Sequence, residues 1–314
     1  MKIISVAIVG LGKIARDQHV PVIVADPRFR LAGIVSSSGQ KVDGVPTFAR
    51  LADLFAAQPQ LEAVALCTPP GVRHAMALDA IAAGKQVLLE KPPAGTTSEA
   101  EHLIAAAAAK GVCLFATWHS RFNAAVEEVK RRLQNRRIRS LRIDWKEDVR
   151  RWHPGQDWVF AAGGFGVFDP GINALSILTH ILPGPVFVTA ADLVTPSNRQ
   201  TPIAATLTFA APDATAPSAT LMAAFDWRQQ GGEIWTITIE TDAGERLALV
   251  QGGSKLLVND RLSVETAADE YAGIYRRFAG LIDSGSSDAD LSPLRLVADA
   301  ALLGRHHATD AFHW

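Results

Sequence analysis

The residues Gly10-Leu11-Gly12-Lys13-Ile14-Ala15 form a glycine-rich turn between an apolar run (residues 3–9) and a helical pattern. In such a turn Gly10 would make the tight bend and Gly12 would let a pyrophosphate approach the backbone. Ala15 would allow close packing of helix against strand. The free N–H groups at the start of the helix would bind the phosphate charge. The spacing predicts dinucleotide binding, and the structural alternative is a plain strand–helix turn.

The first 119 residues repeat this strand–helix arrangement. Their apolar runs of Val, Ile, Leu and Ala are continuous, which is typical of strands covered on both faces. The predicted strands are residues 3–9, 31–36, 62–67, 86–90 and 112–117, with helical patterns starting near residues 13, 48, 72 and 97. This alternation predicts an α/β fold, namely a parallel Rossmann domain over residues 1–119.

The pattern changes after residue 119. The sequence predicts a helix over 123–134, a strand over 138–146, a helix starting near residue 170 and helices over 270–283 and 294–307. Partly alternating segments at 204–209, 219–227 and 233–241 predict a large, mostly antiparallel sheet with one open face. Residues 120–314 are therefore predicted to form an α+β domain.

Charge and cysteine content exclude several classes of protein. Lys plus Arg (31) and Asp plus Glu (32) nearly cancel, which argues against nucleic-acid and anionic-membrane partners because both require a basic surface. The basic stretch 130–139 is interpreted as a solvated helix face. Cys67 and Cys113 lie in apolar runs, so neither a disulfide framework nor a metal site is predicted. No apolar stretch is long enough to span a bilayer, and a glycine turn rather than a cleavage site follows residue 9. The expectation is a soluble, cytoplasmic protein.

Two strand ends carry candidate site residues. The second strand ends in Ser36-Ser37-Ser38-Gly39, with neither an acidic residue for a ribose 2′-hydroxyl nor an arginine for a 2′-phosphate. Serine hydroxyls serve either nucleotide, so NADP or NAD, with dual use, is predicted as cofactor. The fourth strand ends in Glu90-Lys91-Pro92-Pro93, which brings Lys91 to the edge where ligands bind in parallel sheets. The alternative is a surface Glu–Lys pair.

These motifs, together with Thr68-Pro69-Pro70, His74 and Ala83-Gly84-Lys85, resemble the Gfo/Idh/MocA family of NAD(P)-dependent oxidoreductases. The stretch Gly163-Gly164-Phe165-Gly166, followed by Asp169-Pro170-Gly171, extends the resemblance into the second half. Within that family, residues 117–121, 145–158 and 168–176 are most similar to the bacterial L-arabinose and D-galactose 1-dehydrogenases.

The resemblance implies oxidation of an aldopyranose at C1 to its lactone with NAD(P)⁺ as acceptor. It also implies that Lys91, Asp169 and Asn173 face the reacting carbon, and that the chain forms a homodimer through its C-terminal sheet. The candidate cofactor-binding residues are Gly10, Gly12, Lys13, Ile14, Ser36, Ser37, Ser38, Thr68, Pro69, His74, Glu90 and Lys91.

The catalytic assignment has a structural alternative, because Asp169 before Pro170 is also a typical helix N-cap. Asn173 follows one helical turn later, so both side chains can point at one ligand. Many family members carry His where this chain has Asn173, and Asn does not titrate. The proton transfer then falls to Asp169 or Lys91. Our hypothesis is that Asp169 takes the C1 hydroxyl proton, Lys91 polarises the oxygen and Asn173 orients it.

Sugar binding requires flat apolar faces and polar groups between them. The candidates are His119, Glu147, Trp152 and His153, in addition to Asp169 and Asn173. The alternative for each tryptophan is core packing, and for His119 a structural hydrogen bond. Trp227 and Trp235 are interpreted as packing residues.

Two alternative functions stay open at this stage. One is a related dehydrogenase acting on another polyol, an inositol or a dihydrodiol, and the other is a non-catalytic NAD(P)-sensing regulator. Neither Tyr271 nor Tyr275 has a lysine four residues later, so the Tyr–Lys pair of short-chain dehydrogenases has no candidate.

Overall fold

The computed structural model of the chain describes residues 2–265 and 269–314. The chain divides into two compact units. Unit 1 comprises Met1–His119 and Glu270–Leu291, and unit 2 comprises Ser120–Asp269 and Ser292–Trp314.

The secondary structure elements are numbered in chain order. The strands are β1 (Ile4–Val9), β2 (Phe29–Val35), β3 (Thr47–Phe48), β4 (Ala63–Leu66), β5 (Gln86–Leu89), β6 (Leu114–Ala116), β7 (Ile138–Lys146), β8 (Phe187–Pro196), β9 (Ala204–Ala210), β10 (Thr215–Asp226), β11 (Ile234–Thr241), β12 (Arg246–Val250), β13 (Lys255–Val258), β14 (Arg261–Glu265) and β15 (Gly304–Thr309). The α-helices are α1 (Val20–Ala25), α2 (Leu51–Ala57), α3 (Pro70–Ala82), α4 (Thr97–Lys110), α5 (Ala124–Leu133), α6 (Val149–Trp152), α7 (Phe168–Ile181), α8 (Glu270–Ser284) and α9 (Ser292–Leu303). A π-helix spans Ala15–His19, and 3₁₀ turns span His119–Phe122, Asp157–Phe160 and Gln251–Gly253. Over residues 2–265 and 269–314, every helix is too short or too polar to cross a membrane.

Unit 1 contains a parallel sheet of six strands in the order β3-β2-β1-β4-β5-β6. Strands β1 and β4 are fully buried, as their continuous apolar runs predict. From β1 the chain runs through β2 to β3 on one side of the sheet. It then crosses to β4, which pairs with the other side of β1. The β1–β4 pair is therefore the topological switch point where such sheets bind ligands. The predicted Rossmann fold is confirmed. Strand β3 was not predicted, because two half-buried residues are too few to form a pattern.

The helix after the glycine turn is irregular. Residues Ala15–His19 form a π-helix that continues into α1, where Pro21 occupies the first turn. Proline has no N–H to donate to the preceding turn, so regular α-helical bonding is interrupted there. The irregular turn buries the side chain of His19 completely.

Helix α8 belongs to unit 1, whereas the predicted boundary assigned it to the second domain. The ring of Tyr275 packs edge-on against Phe29 at a centroid distance of 5.1 Å. Phe278 packs against Phe115 at 6.2 Å. Both α8 side chains are fully buried, and burial of two aromatic rings supplies the free energy that holds the helix on this unit.

Unit 2 contains a nine-stranded sheet in the order β14-β13-β12-β11-β7-β10-β9-β8-β15. Among the described strands of this sheet, only the pairs β7–β10 and β8–β15 are parallel. Helices α5, α7 and α9 pack on the sheet and on one another. On β10 the side chains of Leu221, Ala223 and Phe225 are buried, whereas Met222 between them is exposed. The mostly antiparallel sheet with an open face is confirmed.

The last predicted helix, residues 294–307, is wrong at its C-terminal end. Helix α9 ends at Leu303, and Gly304 begins strand β15, which pairs with β8 in parallel. Arg305 and His307 both bond to Asp192 on β8, at 2.8 Å each. Pairing with a strand more than 100 residues earlier overrides the local helical pattern, because propensity is weaker than tertiary contacts.

Candidate active site

The glycine turn has the geometry that its sequence predicts. Gly10 has φ +91°, and a Cβ there would lie 2.9 Å from the side chain and 3.0 Å from the backbone N of Thr68. Only glycine fits this approach. A Cβ on Gly12 would meet no atom of the described residues within 4 Å, so the space next to it is open. Lys13 forms an exposed ion pair with Asp17.

Thr68 follows β4 and has a buried Oγ1 that lacks a hydrogen-bond partner among the described residues. A buried hydroxyl without a partner costs about 1–3 kcal/mol, and a bound ligand would remove that cost. Pro69 is the N-cap residue of α3. The open space at Gly12, the buried hydroxyl and the switch point together fit a dinucleotide, with Gly10, Gly12 and Thr68 as the residues that would hold its phosphates.

The end of β2 carries a small polar cluster. The Oγ of Ser36 accepts a bond from the Gln40 N–H at 3.2 Å and lies 3.2 Å from the Oγ of Ser38. Arg16, on the π-helix, donates to the side-chain oxygen of Gln40. The sequence next to this strand end contains no arginine, but folding brings Arg16, 20 residues before Ser36, to the loop. Ser37 is exposed.

Glu90, at the end of β5, is buried in a hydrogen-bonded network. Its Oε1 accepts bonds from the Tyr271 hydroxyl at 2.9 Å and from His19 Nε2 at 3.0 Å. Its Oε2 accepts the backbone N–H of Lys91 at 2.8 Å. Burial alone raises the pKa of Glu90, but the His19 hydrogen bond and charge outweigh it and lower the pKa to about 2. Glu90 therefore stays ionised and holds the backbone from which Lys91 extends.

Arg73 on α3, which was not predicted as a site residue, holds the same strand ends together. Its buried guanidinium donates to the backbone carbonyls of Thr68, Glu90 and Pro92. The Lys91–Pro92 peptide is cis. The neighbouring His74, a predicted cofactor ligand, lies 3.1 Å from a ring nitrogen of His102 on α4.

His119 joins the network of Glu90. Its Nδ1 lies 2.7 Å from Oε2 of Glu270, and its ring stacks on Tyr271 at 5.6 Å. Burial lowers the pKa of His119, but the Glu270 carboxylate outweighs burial and raises it. Glu270 is therefore the structural hydrogen-bond partner that the sequence left open for His119. The contact of His119 with a sugar stays a prediction.

In unit 2, Glu147 lies between two indole rings. Its Oε1 accepts from Trp227 Nε1 at 3.3 Å, and its Oε2 accepts from Trp235 Nε1 at 2.9 Å. Burial raises the pKa of this carboxyl to about 7, and the neighbouring Asp169 adds to the rise. The interpretation of Trp227 and Trp235 as packing residues alone is therefore incomplete, because both hold the Glu147 carboxyl group.

Asp169 lies in the first turn of α7, one residue inside the helix. The helix begins at Phe168 with Val167 at the N-cap, so the capping alternative for Asp169 is wrong. Its Oδ2 lies 3.2 Å from Nε2 of His153. Asn173 follows four residues later on the same helical face. Unit 2 thus brings Asp169, His153 and Glu147 together, as the sequence predicts, and the helix N-terminus favours the Asp169 carboxylate.

Trp152, a predicted sugar-binding residue, and Trp158 border this cluster. The indole Nε1 of Trp152 is buried without a hydrogen-bond partner in the described part of the chain, and its ring lies 5.4 Å from that of Trp235. Trp158 is exposed, lies edge-on to His153 at 6.3 Å and donates to Gln156. An unpartnered indole N–H beside an acidic cluster is an available donor for a hydroxyl-bearing ligand.

The glycines at 163–166 let the preceding loop close on this cluster. A Cβ on Gly164 would lie 2.0 Å from the carbonyl oxygen of Trp158. Any side chain there would push the loop away from the backbone that carries His153 and Trp158. The glycine-rich motif therefore has a steric role next to the candidate site.

The raised pKa of Glu147 predicts a pH-dependent stability. Its pKa is about 7 in the folded protein and close to its ordinary 4.5 in the unfolded chain. The folded state holds the proton more tightly, so the stability from this group is present below the unfolded pKa and is lost as pH rises through 7. We expect the free energy of unfolding of the wild-type protein, minus that of Glu147→Gln, to fall by about 3 kcal/mol between about pH 4.5 and about pH 7.5. Denaturant titrations at a series of pH values measure this difference. The exposed Glu240→Gln on β11 is the matched control, and wild-type and Glu147→Gln curves that run parallel would contradict the raised pKa.

Comparisons with known proteins agree with this fold. Residues 4–117 match the oxidoreductase family with an NAD-binding Rossmann fold. The chain is 43% identical to the galactose 1-dehydrogenase of Pseudomonas fluorescens, with 100% of both chains covered. It superimposes on the D-galactose-1-dehydrogenase protein from Rhizobium etli with a TM-score of 0.93 and 49% identity, covering 100% and 99% of the two chains. A 3-ketoreductase from Actinomadura kijaniata, solved with NADP, shares the fold at a TM-score of 0.84 and 20% identity, covering 98% and 100%. The chain therefore belongs to the Gfo/Idh/MocA family of oxidoreductases.

Proposed function

We propose that the chain oxidises an aldopyranose, D-galactose or L-arabinose or both, at C1 to the lactone. The observation that carries this proposal is the cluster in unit 2, where the buried carboxyl groups of Glu147 and Asp169 lie with His153 among indole rings. Flat rings stack on a pyranose, and carboxylates accept hydrogen bonds from its hydroxyl groups. Full-length similarity to proteins named as galactose 1-dehydrogenases supports the same substrate class.

In the proposed reaction Asp169 takes the proton of the C1 hydroxyl as a general base. The ammonium of Lys91 stabilises the charge that develops on this oxygen, and the side-chain amide of Asn173 orients it. His153 Nε2 lies 3.2 Å from the second carboxylate oxygen of Asp169, close enough to orient it. When bound, the nicotinamide supplies the acceptor for the hydride that leaves C1.

The remaining sugar hydroxyls would be bound by the polar groups between the rings. Glu147 is the acceptor, the indole N–H of Trp152 is a donor, and His119 is a further candidate. D-galactose has one carbon more than L-arabinose, and a hydrophobic pocket excludes such a group by only about 1–3 kcal/mol. We therefore propose that the site accepts both sugars.

A substrate panel tests this function. We expect NAD(P)H formation with D-galactose and L-arabinose and none with myo-inositol or a dihydrodiol, followed by absorbance at saturating nucleotide. Turnover confined to inositols or dihydrodiols would contradict the sugar assignment in favour of a related dehydrogenase. Nucleotide binding without turnover of any substrate would favour a regulator.

We propose dual use of NADP and NAD, with Arg16 favouring NADP. Its guanidinium lies beside the Gln40 and Ser36 cluster at the end of β2, where a 2′-phosphate would meet no acidic side chain within residues 36–42. A charge-assisted hydrogen bond contributes about 1.5–3 kcal/mol. We therefore expect Arg16→Gln to lower kcat/KM with NADP roughly 10- to 100-fold and to leave the value with NAD nearly unchanged. Lys41→Gln, in the same loop, is the control for a general loss of charge. Equal losses with both nucleotides in Arg16→Gln would contradict the role.

We propose further that two copies of the chain associate through the open face of the unit 2 sheet. The exposed Met222 on β10 lies in register with Thr208 on β9 and Arg142 on β7. An exposed methionine flanked by polar side chains is typical of interface surfaces. Light scattering should give twice the chain mass of 33.6 kDa. A mass of one chain at micromolar concentration would contradict this arrangement.

A further inference from the structure

We propose that residues 312–314 form a buttress that fixes the segment 148–160, so that Phe312 and Trp314 are positioning residues for the sugar. The segment 148–160 carries Trp152 and His153, and the proposal therefore rests on the proposed function. The buttress and the segment both belong to unit 2.

The segment has little regular structure of its own. It consists of the four-residue helix α6, a turn and the four-residue 3₁₀ segment Asp157–Phe160. A single helical turn closes too few hydrogen bonds to be stable alone. Packing from another part of the chain must therefore hold the segment in place.

Residues 312–314 supply directed contacts to both ends of the segment. At one end, the backbone carbonyl of His313 accepts a bond from Arg150 at 2.7 Å, and the Arg150 guanidinium lies 4.5 Å from the Phe312 ring. At the other end, the indole N–H of Trp314 donates to Asp157 at 2.8 Å. The buttress thus contacts two different side chains of the segment, Arg150 and Asp157, so the segment is held at two points.

The buttress is itself anchored. The backbone N–H and carbonyl of Phe312 pair with the side-chain amide of Asn198, each at 2.9 Å. The adjacent Arg199 bonds to Asp157 at 2.7 Å, so Asp157 receives both Arg199 and Trp314. The hydrogen bonds of Trp314 and Arg199 lower the pKa of Asp157, which keeps this carboxylate ionised and able to accept both.

A chain of rings joins the buttress to the candidate sugar site. Phe312 and Trp314 pack on Phe160 at centroid distances of 5.0 Å and 6.0 Å. Phe160 packs edge-on against Trp227 at 5.4 Å, and Trp227 donates to Glu147. A displacement of Phe160 would therefore change the support of the Glu147 carboxyl group as well as the position of the loop.

The test compares Trp314→Ala and Trp314→Phe with the wild-type protein, with D-galactose and NADP as substrates. We expect Trp314→Ala to raise KM for D-galactose about tenfold, while kcat and KM for NADP change less than about threefold. Trp314→Phe keeps an aromatic ring on Phe160 but loses the bond to Asp157. Its KM for D-galactose should therefore lie between those of the wild-type protein and Trp314→Ala. Leu302→Ala, an exposed apolar side chain on α9 of the same unit, is the matched control and should leave all three values unchanged.

Hydrogen exchange of residues 148–160 without sugar gives a second readout. We expect faster exchange in Trp314→Ala than in the wild-type protein. A folded Trp314→Ala with wild-type KM for D-galactose would overturn the proposal, as would equal increases of KM for sugar and nucleotide. If Trp314→Ala does not fold, the same comparisons are made with Trp314→Phe. If the wild-type protein oxidises no aldose, the proposed function fails, and exchange alone decides whether the buttress holds the segment.

Discussion

Asp169→Asn is expected to lower kcat for D-galactose oxidation about a thousandfold, with a much smaller effect on KM for the nucleotide. Asparagine keeps the size of the side chain and an oxygen that can bond to His153, but it cannot take a proton. Asp169 is not the N-cap of α7, so the substitution should lower the stability of that helix only by the lost interaction of the carboxylate with the helix N-terminus, about 0.3–1 kcal/mol. Steady-state kinetics together with thermal unfolding separate the chemical effect from a structural one.

Asp192→Asn is the matched control for Asp169→Asn. Asp192 lies on β8 of the same unit, where it bonds to Arg305 and His307, and its replacement should leave kcat unchanged. Retention of most of the turnover in a folded Asp169→Asn protein would remove Asp169 as the base. The proton acceptor would then be Lys91.

Lys91→Met is expected to lower kcat about a hundredfold or more by removing the positive charge that stabilises the developing oxyanion. Methionine keeps the unbranched stem, so packing next to Glu90 should persist. The backbone N–H of Lys91 also continues to bond to Glu90, because the substitution changes only the side chain. Pre-steady-state measurement of NAD(P)H formation reports whether the chemical step has slowed.

Lys110→Met, at the end of α4, is the control for a general loss of positive charge in unit 1. Together, Asp169→Asn and Lys91→Met identify the base. An electrostatic role for Lys91 would leave weak activity in Lys91→Met, whereas a role as proton acceptor would abolish the activity. Wild-type turnover in a folded Lys91→Met protein would contradict both roles. Loss of turnover in both variants with unchanged nucleotide binding would exclude a regulator that only senses NAD(P).

The fold of unit 1 could be predicted almost completely because its signals are local. Continuous apolar runs mark strands covered on both faces, and the spacing of Gly10 and Gly12 marks the turn between the first strand and helix. The missing strand, β3, has only two residues. The grouping of α8 with unit 1 rests on Tyr275 and Phe278 meeting aromatic rings far away in the chain, and no local pattern records such a contact.

The sequence predicted which residue types form the candidate site better than it predicted their contacts. Glu147 and His153 stand between aromatic residues in the sequence, and a polar group in such surroundings requires a partner. The partners themselves lie far along the chain: Trp227 directly follows β10 and Trp235 lies on β11, 80 and 88 residues after Glu147. Arg16 could not be predicted for the same reason, because it lies 24 residues before Gln40, the residue to which it donates.

The sequence alone determined the Rossmann fold, the open sheet of the second unit and the family motifs, because periodicity and short spacings depend only on neighbouring residues. The tertiary structure decided that Asp169 lies inside its helix beside His153 and that two indoles hold Glu147. It also decided that Glu90 is ionised within a buried network. Hydrogen bonds and burial between distant segments set these properties, and spacing along the chain does not encode which distant groups become neighbours.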